Sequence, residues 1–258
     1  MPNQPSLSIV IVAKNEERNI AECIATASFA DEVLVLDSGS SDATVSLAKS
    51  AGARIIETDW PGYGPQVARG FSLASSEWVL SLDADERISP LLRDEIISAI
   101  QNGQHDGLRI PRLSEFCGRF IHHGGWYPDY TLRLGRRSKS SFTDHFLHAH
   151  MTVNGSIGHL KQCIIHYSYP NMHDVLEKLD RYSSGHARDM QTSGKTGNVF
   201  KALLHGLVAF LRTYFVRFGF LDGQHGLMLA IYNAEYTYYK YIKLMFLSKP
   251  PTKPRIRI

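Results

Sequence analysis

Three acids in four positions close an apolar run between Trp78 and Ile88, WVLSLDADERI: Asp83, Asp85 and Glu86. Side chains alternate along a strand, so Asp83 and Asp85, spaced i and i+2, are expected on one side of a sheet's rim. Two carboxylates held this way suit a hard divalent cation, because Mg²⁺ takes one or two protein carboxylates and completes its shell with water and substrate phosphate. Such an ion would neutralise a departing diphosphate. The competing reading is that DADE caps a following helix, since acids favour helix N-termini. Other nucleotide chemistries recede. A dinucleotide site would place G-x-G-x-x-G directly after the first strand, where this chain has VAKNEER. The nearest approximation, Gly62-Tyr63-Gly64-Pro65-Gln66-Val67, lacks the third glycine, and no P-loop motif occurs.

The elements that must carry these acids alternate strictly over the first hundred residues. Four apolar runs read as buried strands: LSIVIV (7–12), VLVL (33–36), RIIE (54–57) and WVLSL (78–82). Between them, Lys14-Asn15-Glu16-Glu17 reads as a cap and acidic first turn for a helix carrying Ile20, Ile24 and Ala27, and Ser41-Asp42 opens a second helix with Val45 and Ala48. Residues 65–75 read as a third helix, and Ser89-Pro90 starts a fourth that runs through Ile100. Doubly apolar strands in this alternation predict an α/β fold, a mainly parallel sheet with helices on both faces. In such sheets ligands lie beyond the carboxyl ends of the strands. Asn15-Glu16, Asp37-Ser38-Gly39-Ser40 and Asp83-Ala84-Asp85 all fall there.

The 258-residue chain has a net charge of +3, too small to imply nucleic acid. The charge is uneven, with nine Lys/Arg against two acids from residue 201 onward, a local net of +7. Cys23, Cys117 and Cys163 form no paired framework, which fits a reducing compartment. MPNQPSLS lacks the basic start and apolar region of a signal peptide, so the cytoplasm is expected. Composition shifts near residue 106 and again near residue 199. The expected division is a nucleotide-binding half (1–105), an acceptor-facing part of the same domain (106–198) and a helical, basic and aromatic appendage (199–258).

IVAKNEE, VLDSGSSDAT and WVLSLDADE, in this order and at these intervals, resemble glycosyltransferase family 2, inverting enzymes of the GT-A fold with nucleotide-sugar donors. HHGGWYPDYTLRL (122–134), VNGSIGHLKQCIIHYSY (153–169) and RFGFLDGQHGLMLAIYNAEYTYYKYIKL (217–244) extend the likeness to the bacterial lipopolysaccharide core β-1,4-glucosyltransferases. The resemblance implies a UDP-sugar donor, glucose above all, a lipopolysaccharide core heptose as acceptor, and Mg²⁺ or Mn²⁺. It implies that Ala13, Glu16 and Asp37 contact the uridine. Asp83 would lie near the ribose and metal, and Asp85 would be the principal metal ligand. His166 in IIHYSY would reach the metal or diphosphate, the alternative being a structural role. Asp37 also reads as the head of an Asx-turn in DSGSSD. Trp126, Asp129 and Arg133 of the WYPDYTLR segment are the acceptor-side candidates.

Two departures stand out. Inverting transfer needs a base for the acceptor hydroxyl. The family pattern expects a glutamate where this chain has Ala149, whose methyl group accepts no proton. Base candidates are therefore Asp129, Asp144 and His148, with His150 beside them; otherwise the chain binds nucleotide sugar without turning it over. A polyprenyl-phosphate acceptor, already anionic, would need no base at all. His145, His148 and His150 also invite a zinc reading, but no cysteine or carboxylate at ligand spacing completes it. The second departure is Val67, where the pattern expects a basic residue facing the donor. Arg69 either replaces it from the next turn or is solvated.

Val199 to Leu221 is apolar and aromatic, yet its longest run free of Lys, Arg, Asp and Glu is the ten residues 202–211, short of the ~20 expected of a spanning helix. Aromatic and cationic residues together suit the headgroup zone of an anionic membrane. Peripheral association with the cytoplasmic face of the inner membrane is expected, an ordinary core or dimer contact being the alternative.

Overall fold

The computed structural model describes residues 5–142 and 151–248. They form two compact units, one comprising residues up to Ser114 with Pro128–Tyr167, the other Glu115–Tyr127 with the chain from Ser168. The first hundred residues alternate as expected: β1 (Leu7–Ala13), α1 (Ile20–Ala27), β2 (Glu32–Asp37), α2 (Thr44–Ser50), β3 (Arg54–Glu57), α3 (Tyr63–Leu73), β4 (Trp78–Asp83), β5 (Glu86–Ile88) and α4 (Pro90–Asn102). Then follow β6 (Gly107–Phe116), β7 (Arg119–Phe120), β8 (Asp129–Arg136), β9 (Ser140–Phe142), β10 (Met151–Val153), β11 (Ile157–His159) and β12 (Ile164–His166). Three helices complete the chain: α5 (Met172–Thr192), α6 (Val199–Leu211) and α7 (Gly223–Ser248).

The main sheet of the first unit has the order β3-β2-β1-β4-β8-β6-β12-β5. Its first four strands are mutually parallel. β8 is inserted antiparallel to both neighbours, β12 runs parallel to β6, and β5 pairs antiparallel with β12. The fold is thus α/β of the GT-A kind, followed by a helical region. Strand alternation sends Ile9, Ile11, Leu80 and Leu82 to one face, against Ile20 and Ile24 of α1 and Leu92 and Ile96 of α4. Val10, Leu34, Leu36 and Val79 point to the other, against Val67 and Phe71 of α3. Gly70 lets α3 approach β1 closely, since a Cβ there would collide with Val10.

Two element starts differ from expectation. Lys14 to Glu17 do not open α1; that helix begins at Ile20, and Asn15 takes a left-handed conformation (φ 56°) instead. Asparagine tolerates this because its short amide bonds locally. Here its Oδ1 accepts from Ser41 N at 2.9 Å and its own N–H donates to Ser40 Oγ at 2.8 Å, tying the loop after β1 to the loop after β2. α2 likewise begins at Thr44, whose N–H donates to Asp42 Oδ1 at 3.0 Å. The acids of DADE do not cap α4 either. β5 intervenes, and Ser89 is the cap, its Oγ accepting from Leu92 N at 3.2 Å with Pro90 at the first helical position.

In the second unit, Phe116, Ile121, Val175, Leu179, Leu229 and Tyr232 form a core that Trp126 closes, edge-on to Phe116 at 5.5 Å. Asp222, almost fully buried, accepts from the N–H groups of His122 (3.4 Å) and His123 (2.8 Å) and so fixes the HHGGW loop. α6 presents Ala202 and Gly206 to its neighbours and leaves Phe200, Leu203, Leu204 and Leu207 exposed. The helical stretch Val199–Val216, 18 residues with a mean hydropathy of 1.4 and only 17% buried, is long and apolar enough to cross a membrane by length and composition. The sequence reading, which stopped at Lys201 and Arg212, made this stretch shorter than the helix that contains both.

Candidate active site

The parallel register sets three of the expected donor residues side by side. Ala13 lies opposite Asp37 on β1 and β2, and Val12 lies opposite Asp83 on β4. Asp37, 2% exposed, is the head of an Asx-turn: Oδ2 accepts from Gly39 N (3.0 Å) and Ser40 N (2.9 Å), and Oδ1 from Ser40 Oγ (2.5 Å). Glu16 N donates to Thr44 Oγ1 at 2.7 Å, and its carboxylate accepts from Asn19 Nδ2 at 2.9 Å. On α3, buried Gln66 donates to Ser38 Oγ at 3.0 Å. Arg69 pairs with Asp59 at 2.7 Å and also donates to Thr58 Oγ1 and Gln66 Oε1.

The two aspartates of DAD have different surroundings. Asp83 ends β4 and is held by Arg133 Nη2 at 2.8 Å and the Tyr63 hydroxyl at 2.5 Å. Glu86, fully buried, accepts from Asp83 N at 2.9 Å and from Arg133 at 3.1 Å, with Arg112 Nη1 at 3.6 Å. Arg112 in turn grips Asp129 through Nη2 (2.7 Å) and Nε (3.1 Å). Burial opposes charge on Asp83, but Arg133 and the Tyr63 hydrogen bond overcome it and hold the carboxyl well below the usual range. Burial pushes Glu86 up, and Asp83 adds to the push against the opposing pull of Arg133.

Asp85 sits in the turn between β4 and β5, outside this network. Its carbonyl accepts from Tyr167 N at 2.9 Å, and its Oδ2 lies 3.4 Å from His166 Nε2. Ser114 of β6 is opposite His166 in the register, and its Oγ meets His166 Nδ1 at 3.0 Å, which turns Nε2 toward Asp85. A carboxylate facing an imidazole whose other nitrogen is held by a neighbour is a donor pair suited to a divalent metal. Among the described residues no cluster of three or more His, Cys, Asp and Glu forms, so water and substrate oxygens would supply the remaining positions.

Of the remaining candidates, Asp129 and Arg133 lie in the first unit and Trp126 in the second. Asp144, His148, Ala149 and the neighbouring His145 and His150 lie outside the described residues. The sequence reading passed over Tyr63, Arg112 and Ser114. A signal existed for the last two: Arg112 and Ser114 are spaced i and i+2 in the strand IPRLSEF, which puts both on one face.

Residues 8–154 match the model of glycosyl transferase family 2. An uncharacterized glycosyltransferase of Rickettsia typhi is 31% identical over 255 residues, 94% of this chain and 87% of its own length. The lipopolysaccharide core biosynthesis glycosyltransferase LpsC of Rhizobium meliloti is 28% identical over 253 residues, 92% of this chain and 91% of its own. A crystal structure of glucosyl-3-phosphoglycerate synthase from Mycobacterium tuberculosis with Mn²⁺ and UDP is 28% identical over 43% of this chain and 44% of that one. Its TM-score is 0.37.

Proposed function

Since the chain belongs to glycosyltransferase family 2, a family of nucleotide-sugar transferases, we propose that it moves a hexose, glucose from UDP-glucose, with inversion onto an inner-core heptose of lipopolysaccharide. The observation that carries the site assignment is the Asp85–His166 pair at the rim where Ala13, Asp37 and Asp83 converge. LpsC, similar over most of both chains, supports the acceptor class.

In this reading Ala13, Glu16 and Asp37 receive the uridine, Asp37 exchanging a turn hydrogen bond for the base. Gln66 and Arg69 flank that pocket from α3. Asp85 and His166 would hold Mg²⁺ or Mn²⁺, with Asp83 beside them, and the ion would offset charge on the departing diphosphate. Arg133, expected on the acceptor side, is committed to Asp83 and Glu86, and we assign it to keeping Asp83 ionised and aimed. Asp129, its side chain partly exposed, is the base candidate among the described residues, with Asp144 and His148 the others. Trp126 is assigned to the acceptor side. The exposed apolar face of α6, flanked by Lys201 and Arg212, would rest in the headgroup zone of the anionic inner membrane from the cytoplasm.

The test is UDP release from UDP-glucose with Mn²⁺, with and without heptose-terminated lipopolysaccharide, following acceptor mass. A metal-dependent gain of one hexose is expected. Transfer to polyprenyl phosphate alone would replace the acceptor. UDP-glucose binding without transfer to either, corrected by Ala149→Glu, would make this a protein that binds donor without turnover.

A further inference from the structure

The second unit contains a cavity of about 440 Å³ that the donor site does not use, between the HHGGW loop, α6 and α7. That volume is within the range of about 300–1,000 Å³ common for small-molecule sites. Among the described residues three cations line it, Arg212, Arg217 and Lys240, and no acidic side chain does. Six arginines of the first unit, Arg54, Arg69, Arg87, Arg112, Arg133 and Arg136, each pair with a carboxylate. None of the three cavity cations has an ion-pair partner among the described residues. Three like charges gathered without counterions cost free energy that an anion would recover.

The rest of the lining is specific in kind. Lys240 Nζ sits 5.4 Å from the Tyr236 ring and 5.6 Å from the Tyr241 ring, and Tyr241 stacks on His205 at 4.5 Å. Burial, with Lys195 nearby, pushes the Lys240 ammonium down, which a bound anion would reverse. Trp126 supplies a further aromatic surface, and Asn233, which donates to Thr213 Oγ1 at 3.1 Å, keeps its amide oxygen for another partner. Gly125 makes room for Arg217: a Cβ there would collide with the guanidinium, and its φ of +82° also favours glycine. Aromatic faces suit the C–H faces of sugar rings, amide and hydroxyl groups suit their hydroxyls, and paired cations suit phosphate.

We infer that this cavity is a second ligand site, for a phosphate-bearing saccharide, with Arg212, Arg217 and Lys240 on the phosphate and Trp126 and Tyr241 against the ring. That this saccharide is part of the transferase acceptor rests on the reading above; the binding chemistry does not.

Calorimetric titration of the whole protein with glucose 6-phosphate, glucose and inorganic phosphate tests it. Glucose 6-phosphate is expected to bind, and to bind at least tenfold more tightly than either of the others. Arg217→Gln and Lys240→Met are each expected to weaken it about tenfold or more, and Gly125→Ala to weaken it by displacing Arg217. Arg217 is exposed, and Lys240→Met keeps the half-buried stem while removing a charge that burial opposes, so nearly unchanged melting curves should accompany both substitutions. Asp85→Asn should lower metal-dependent UDP release by about 100–1,000-fold and leave glucose 6-phosphate binding intact, which separates this site from the donor site. The inference is overturned by absence of binding, by binding that these substitutions leave unchanged, or by inorganic phosphate binding as tightly as the sugar phosphate. It is equally overturned if phosphatidylglycerol vesicles, but not glucose 6-phosphate, are bound through the same cations, since the ligand is then a lipid headgroup.

Discussion

At the sheet rim of the first unit the charges are matched: Arg112 and Arg133 are held among Asp83, Glu86 and Asp129 at 2.7–3.6 Å. In the helical unit, Arg212, Arg217 and Lys240 have no carboxylate partner among the described residues and lie beside an α6 surface whose apolar side chains face outward. The difference separates two kinds of binding surface. A closed ion-pair network fixes side-chain positions before a ligand arrives, so a metal and diphosphate meet groups that need little reorganisation. An unmatched cationic cavity and a bare apolar helix face leave their interactions to be completed by what binds. Substitutions should therefore damage stability in the first region and affinity in the second.

The largest effect expected is from Arg133→Ala. It leaves fully buried Glu86 and half-buried Asp83 without their shared cation, and breaking a buried pair by removing one partner costs about 3–5 kcal/mol. Denaturant unfolding would measure it. A loss under about 1 kcal/mol would mean that the network is solvated and that the contrast with the helical unit is false. Next comes Asp85→Asn, which removes charge from the donor pair without emptying a buried site. Metal-dependent UDP release is expected to fall about 100–1,000-fold, with stability nearly unchanged. His166→Ala should cost about 10–100-fold, and Ser114→Ala less, because Ser114 acts only by orienting the ring. If Mn²⁺ affinity, read by electron paramagnetic resonance, is equal in wild type and Asp85→Asn, the metal is held elsewhere.

These residues were not equally legible in the sequence. Asp37, Asp83, Asp85 and the four parallel strands could be read because each strand, its turn and its helix are contiguous and their periodicity is local. His166 could be suggested but not paired, since its meeting with Asp85 depends on β12 lying between β6 and β5. Arg133 was expected on the acceptor side because nothing in TLRLG reveals that β8 runs antiparallel beside β4, carrying its guanidinium to Asp83. Tyr63 was invisible for a similar reason, its partner lying 20 residues away on another element. In the helical unit, Asp222 and the His122 loop it fixes are 100 residues apart. Long-range polar pairing of this kind leaves no periodic trace.

Acid stability gives a smaller test, at the opposite end of the same sheet. Glu32 on β2 accepts from Ser8 Oγ at 2.6 Å and from Ser75 N at 2.8 Å, and pairs with Arg54 at 2.9 Å. Burial opposes its charge, but these hydrogen bonds prevail and lower its pKa to about 2. A carboxyl depressed in the folded state contributes stability above its unfolded pKa, about 4.3, and loses it as pH falls through the folded value. Between about pH 4.5 and pH 2 the protein should therefore lose stability on the order of 2 kcal/mol through this group alone. Glu32→Gln should flatten that limb of the unfolding profile. An unchanged profile would assign acid sensitivity to the Asp83–Glu86 network instead.

The smallest effect should come from the bare face of α6. Leu207, 57% exposed, touches little that folding buries, so Leu207→Gln should shift unfolding by no more than about 0.5 kcal/mol. If that face enters a headgroup layer, the same substitution removes apolar area from the membrane contact. Flotation with phosphatidylglycerol vesicles should then weaken by roughly fivefold, about 1 kcal/mol. Pairing it with Lys201→Gln distinguishes the modes of contact. A helix lying on the surface loses further affinity and becomes salt-extractable, because its cation was paired with lipid phosphate. A helix that spans resists extraction in every variant, and that result would turn Val199–Val216 from a surface contact into an anchor.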